Sequence, residues 1–115
     1  MTLETIREYC LAKKGVVEDM PFGPDTLVFK VEGKLFLLTQ IDSSDLTFNA
    51  KCDPEYALEL RDKYDFVQPG YHMNKKHWNT LKYNGTNAKL LYELIDHSYS
   101  LIVQSLPKSV KSFYI

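Results

Sequence analysis

The stretch Pro69-Gly70-Tyr71-His72-Met73-Asn74-Lys75-Lys76-His77-Trp78-Asn79-Thr80 gathers the only tryptophan, two of the three histidines and an adjacent pair of lysines. Such residue types can grip a polyanion. Ammonium groups position a protein on phosphates, imidazoles and amides donate hydrogen bonds, and an indole or phenol stacks or supports. The stretch lies inside residues 66–92, which hold Lys75, Lys76, Lys82 and Lys89 and no acidic residue. Residues 1–65 carry eight basic and thirteen acidic residues, a balance of −5, while the whole chain totals −1. A basic, aromatic segment set against an acidic remainder describes a binding surface better than a catalytic one.

Other chemistries find less support. His72 and His77 lie five apart across a turn, with Cys52 and His97 elsewhere, but zinc needs four ligands in recognised spacing and no second pair exists. Cys52 precedes Asp53-Pro54, where a helix N-terminus could lower a thiol pKa, yet no histidine is locally paired with it. The five glycines stand singly, so no phosphate-cradling loop is present. His97 sits at the edge of an apolar helical stripe, as a boundary histidine bonded to a neighbouring strand or loop would. The expectation is a protein that is not an enzyme, with no metal and no cofactor.

Composition bounds the rest. A chain of 115 residues makes one domain and buries enough surface to fold without staples. An aromatic share of 13% suits several half-buried strands. Cys10 and Cys52 form no C-x-x-C pair and read as free thiols of a reducing compartment. No basic-then-apolar leader opens the sequence, and no apolar run could span a bilayer, so a cytoplasmic protein without membrane contact is expected. The pI near 6.3 leaves any nucleic-acid reading to rest on the local basic segment alone.

Several elements must position these residues. Thr2 caps a helix over 3–14 with Gly15 as its stop. Val16 to Glu18 suits a short strand, and two prolines and a glycine break up residues 19–25. Strands follow on either side of Glu32-Gly33, then a third from Leu46 to Lys51 after the Asp42–Asp45 turn. Asp53-Pro54-Glu55 starts a helix to Lys63 that buries Ala57, Leu58, Leu60 and the stem of Arg61. Phe66-Val67 begins a further strand, bent at Pro69-Gly70. A hairpin is then expected, Tyr71 to Met73 outward and Trp78 to Tyr83 back, with Asn74-Lys75-Lys76 at its tip. Thr86 or Asn87 caps a last helix, Ala88 to Ser105, with Leu90, Leu91, Leu94, Ile95, Ser98, Leu101 and Ile102 along one stripe. The order is helix, three or four strands, helix, two strands, helix: a two-layer α+β domain over 1–107 with an antiparallel sheet, followed by a 108–115 tail.

Phe22-Gly23 before Leu27-Val28-Phe29-Lys30, Lys51-Cys52-Asp53-Pro54, the Gly70–Thr80 run and Leu94-Ile95-Asp96-His97-Ser98-Tyr99 resemble the MmcQ/YjbR-like family across almost the whole chain. The resemblance implies a curved antiparallel sheet likened to frataxin-type and secretion-chaperone folds, and DNA binding through a double wing of loops. The resulting reading is a small binding protein. Its first form grips double-stranded DNA through a wing made of Lys75, Lys76, His72, His77, Asn74, Trp78 and Lys82. Its second is a protein- or small-ligand-binding adaptor, with a concave apolar patch of Tyr71, Trp78, Phe22 and Phe29 on the sheet face.

Overall fold

Side-chain caps set the starts of the first two helices, at Thr2 and Asp53, whereas Asn87 stands at the start of the last long helix without making a capping bond. The Thr2 hydroxyl accepts from the Thr5 amide at 3.1 Å, and Thr5 Oγ1 accepts from the Thr2 amide at 2.8 Å. This reciprocal pair starts α1 (Leu3–Leu11), in a computed structural model that describes residues 1–115. The helix stops short of Lys14 because the chain tightens. Lys13 N–H reaches Cys10 O, and Gly15, at φ 74, turns the chain into β1 (Val16–Asp19). Then come β2 (Thr26–Val31), β3 (Lys34–Gln40), β4 (Thr47–Lys51), α2 (Pro54–Lys63), β5 (Val67–Pro69), β6 (Trp78–Lys82), α3 (Ala88–Ser105) and the single turn α4 (Lys108–Lys111). This is the expected α+β order, with four strands in the first group.

The sheet has six strands in the order β1-β2-β3-β4-β6-β5, every neighbouring pair antiparallel. Glu32 (φ 51) and Gly33 (φ 76) both take left-handed conformations at the β2–β3 turn, as a tight two-residue hairpin requires. Side chains alternate between two unlike faces. Leu27, Phe29, Leu37, Phe48, Ala50 and Leu81 join Ile6, Ala57, Leu91, Leu94 and Ile95 in one buried cluster, so the helices cover this face. Val28, Leu38, Asn49 and Thr80, matched in register across four strands, point the other way.

Two expectations fail for geometric reasons. Leu58 is 62% exposed, because one step along α2 from buried Ala57 rotates it away from the sheet. The expected hairpin also has different arms. β5 pairs with β6, Val67 opposite Leu81 and Pro69 opposite Asn79, and residues 70–77 form a compact loop. Tyr71 to Met73 is not a strand: the Tyr71 amide donates to the Thr80 hydroxyl at 2.9 Å, and His72 leaves the extended region at φ 58. Gly70 closes the ladder by donating to Trp78 O at 2.9 Å. A side chain at Gly70 would collide with Trp78, since a Cβ there would lie 2.8 Å from Trp78 Cβ.

One buried hydroxyl ties helix to sheet. Register between β2 and β3 slips by one, with Phe29 opposite Leu37 but Lys30 opposite Leu35, so Phe36 is a bulge residue. The bulge turns both Phe36 and Leu37 toward the helices, which explains the unbroken apolar run Leu35–Leu38. Ser98 on α3, fully buried, donates to Phe36 O and accepts from the Lys51 amide at 2.9 Å. A serine in an apolar stripe is thus the partner of two backbone groups. The tail is tethered too, Tyr114 donating to Glu32 Oε1 at 2.8 Å. Ser98→Ala should lower unfolding stability by about 1–3 kcal/mol, read by urea titration, since it strands both groups in the core. Unaltered stability would show that neither bond matters.

Candidate functional site

The 70–77 loop straddles the end of β6. Its second half turns toward α2. Arg61 donates through Nε to Asn79 Oδ1 at 2.7 Å and through its terminal nitrogen to Trp78 O at 3.2 Å and to Lys75 O. The Cys52 amide donates to His77 O at 2.8 Å, and Asn74 Oδ1 accepts from the Lys76 amide at 2.9 Å. Arg61 therefore straps the loop to the body, a role that sequence reading missed; its signal was a cation on the buried side of an amphipathic helix.

The seven predicted wing residues do not share one surface. Asn74, Lys75 and Lys76 are exposed at the strapped end, and Lys75 Nζ bends back to Gly70 O at 3.2 Å. Neither Lys75 nor Lys76 has a carboxylate partner. Lys82 pairs with Asp45 at 3.3 Å, both groups exposed. Half-buried Trp78 stands opposite Lys51 on the open face of the sheet. His77 serves through its backbone. His72 belongs elsewhere, its ring against Tyr71 with centroids 4.0 Å apart.

Tyr71 and His72 wall a trough of about 710 Å³ on the open sheet face. Its floor is Thr26, Leu38, Gln40, Thr47, Asn49 and Thr80; Phe22 and Ser43 enter from the β1–β2 and β3–β4 connections, and Met73 from the loop. The sheet itself clamps Tyr71. Thr80 Oγ1 accepts from its amide, Asn49 Nδ2 donates to its carbonyl at 3.3 Å, and the Thr80 hydroxyl closes onto Asn49 Oδ1 at 2.5 Å. Phe22 and Tyr71 stand 64% and 69% exposed beside the trough. The expected patch is corrected in part: Phe29 is fully buried under the helices because alternation places it on the other face, and Trp78 does not line the trough.

The remaining reactive groups, His97, Cys52 and Cys10, lie outside the trough. His97 Nε2 accepts from the Asp53 amide at 3.1 Å with Tyr56 edge-on at 5.1 Å. Burial holds its pKa below the ordinary 6.5, against the opposing pull of Asp53. Cys52 shows no thiolate activation, since burial pushes it up to about 11, and Cys10 rises to about 12 for the same reason. Both thiols are free. No three His, Cys, Asp or Glu side chains stand close enough together to hold a metal ion, and no helix is long and apolar enough to cross a membrane.

One antiparallel sheet, helices on a single face and a trough on the other define a small two-layer α+β domain. The chain belongs to the YjbR family, whose model matches residues 11–101. It is 39% identical over 107 residues to the uncharacterized protein YbdF of Escherichia coli O157:H7, covering 91% of this chain and 87% of that one. It is 30% identical to the uncharacterized protein YjbR of Escherichia coli K12, over 100% and 98% of the two chains. Among solved structures, a Deinococcus radiodurans protein with a DUF419 domain superposes with TM-score 0.89 at 37% identity, over 94% of this chain and 83% of that one. A Pseudomonas syringae protein gives 0.74 at 29%, over 88% and 98%.

Two outcomes test the local geometry. Arg61→Met should leave the fold intact but free the loop, so that exchange of the Gly70 and His77 amides quickens about tenfold, the equivalent of ~1.4 kcal/mol. Unchanged exchange would deny Arg61 its role. For His97, the folded state prefers the neutral ring, so the unfolded chain binds more protons as pH falls. Its stabilising share is complete above about pH 6.5 and is lost as pH drops through the lower folded value. His97→Gln, which keeps an acceptor, should flatten this decline in denaturation curves taken across that range.

Proposed function

We propose that the protein is a non-enzymatic binding module that holds a small ligand in the trough on the open face of the sheet. The observation that carries this is the trough itself. Its volume falls in the range of small-molecule sites, and exposed aromatic side chains meet convergent polar groups there. His72, at φ 58, adds a second support: a non-glycine residue held in the left-handed region beside a cavity is a form of strain concentrated at functional sites. The two free thiols accord with a reducing, cytoplasmic setting.

Double-stranded DNA is the second reading, favoured by the unpaired, exposed Lys75 and Lys76. Against it stand the loop strapped to α2 and the pairing of Lys82 with Asp45, which leave Lys75 and Lys76 as the only free lysines of the expected wing, where useful affinity needs several phosphate contacts.

Backbone amide shifts separate the two. A set of uncharged aromatic fragments should move Phe22, Leu38, Asn49, Tyr71 and Thr80, and Phe22→Ala with Tyr71→Ala should weaken this at least tenfold. Both rings are exposed, so the double variant should fold. If no fragment moves the trough, while duplex DNA moves residues 74–77 at low salt and Lys75→Glu with Lys76→Glu abolishes that effect, the DNA reading replaces this one.

A further inference from the structure

The lining of the trough specifies its ligand more narrowly, on the reading that the trough is the binding site. No Asp, Glu, Lys or Arg lines it, and His72 is its one basic side chain. A ligand's phosphate, carboxylate or ammonium would meet no counter-charge among the lining side chains, and Lys82, the cross-strand neighbour of Thr47, is already paired with Asp45. Nucleotides and free amino acids are therefore poor matches. A lipid chain matches no better, because the trough is open and most of its floor is hydroxyl or amide.

What the floor offers is a dense set of neutral groups that each donate and accept: Thr26, Gln40, Thr47, Asn49 and Thr80, with Ser43 at the end. Some are engaged with one another. Thr80 bonds Asn49, and the Thr26 hydroxyl bonds Gln40 Oε1 at 3.3 Å. The Gln40 amide nitrogen and the Thr47 hydroxyl have no protein partner and face the open side, Thr26 pairing with Gln40 and Thr47 with Lys82 in register. Two exposed rings flank the trough: Phe22 enters from the connection that leads into β2 and Tyr71 from the loop that leads into β6, and those two strands lie three strand spacings, roughly 14 Å, apart across the sheet. Two linked rings suit such a span, each with an apolar face for an aromatic side chain and a rim of hydroxyls for the floor.

We infer that the trough binds a short neutral oligosaccharide, two sugar rings spanning Phe22 and Tyr71, with ring hydroxyls on Gln40 and Thr47. Sugars combine what the lining demands: no charge, many donor–acceptor groups and flat apolar patches. The two aromatic side chains supply apolar area at low entropic cost, and the amide and hydroxyls fix orientation.

The test titrates the full chain with neutral disaccharides built from glucose, galactose, mannose and N-acetylglucosamine, following backbone amide shifts. Adenosine, glucose 6-phosphate and the uncharged aromatic fragments serve as the other arms. At least one disaccharide should shift Gln40, Thr47, Asn49 and Tyr71, with binding weakened tenfold or more by Tyr71→Ala and by Gln40→Ala. Glucose 6-phosphate should bind more weakly than the neutral sugar. If the fragments or adenosine move the trough and every disaccharide is silent, the sugar assignment is wrong and the binding-module reading survives. If the charged sugar binds as well as the neutral ones, the argument from the uncharged lining fails. If nothing moves the trough, both readings fall.

Discussion

A single buried hydroxyl carries much of this architecture. A β-bulge at Phe36 removes that residue's carbonyl from the regular ladder, and a helix lying across the sheet would ordinarily seal it from water. Ser98 answers both Phe36 and the end of β4 from one position on α3. The helix layer is thereby keyed to the sheet at a fixed register and not merely laid against it. Apolar burial supplies most of the driving force but is indifferent to a sliding displacement; the hydrogen bonds are not. Because a bulge also bends its strand, the same feature that needs Ser98 shapes the course of β3 across the sheet.

The two faces of the sheet divide the labour. The covered face holds the packed aromatic and aliphatic cluster, with Asn79 among its few buried polar side chains. That side chain is satisfied by Arg61 and by Ala57 O at 3.4 Å. Arg61 extends from there to the backbone of the 70–77 loop, so the loop is anchored from the helical side while its first residues rise over the open face. Tyr71 is held by Thr80 and Asn49, whose side chains point outward simply because their neighbours Asn79 and Ala50 point inward. The geometry of the trough is thus a consequence of strand alternation acting on a clamped loop.

Charge segregation gave the sequence its most visible feature, yet the fold does not gather it onto one surface. The acid-free run from Phe66 to Tyr92 passes through β5, the loop, β6 and the start of α3, and its lysines disperse over these elements. Lys82 is taken up by Asp45 from another turn, far away in sequence. What converges instead is a neutral set drawn from β2, β3, β4, β6 and three connections. Such a set has no signature in one dimension, since its members are common residues scattered from Phe22 to Thr80.

The sequence by itself determined the order and type of the elements from α1 to α3, the capped start of α1, the Asp53-Pro54 start of α2, the full extent of α3 and the Glu32-Gly33 turn, but not the single turn α4. Each of these follows from interactions within a few residues, where periodicity and capping act. Tertiary structure decided the arms of the last hairpin, the outward face of Leu58, the burial of Phe29, the strap from Arg61 and the existence of the trough. Those depend on which strands pair and which side of a sheet the helices occupy. Contacts between distant residues are fixed by packing the whole chain, and no local pattern encodes them.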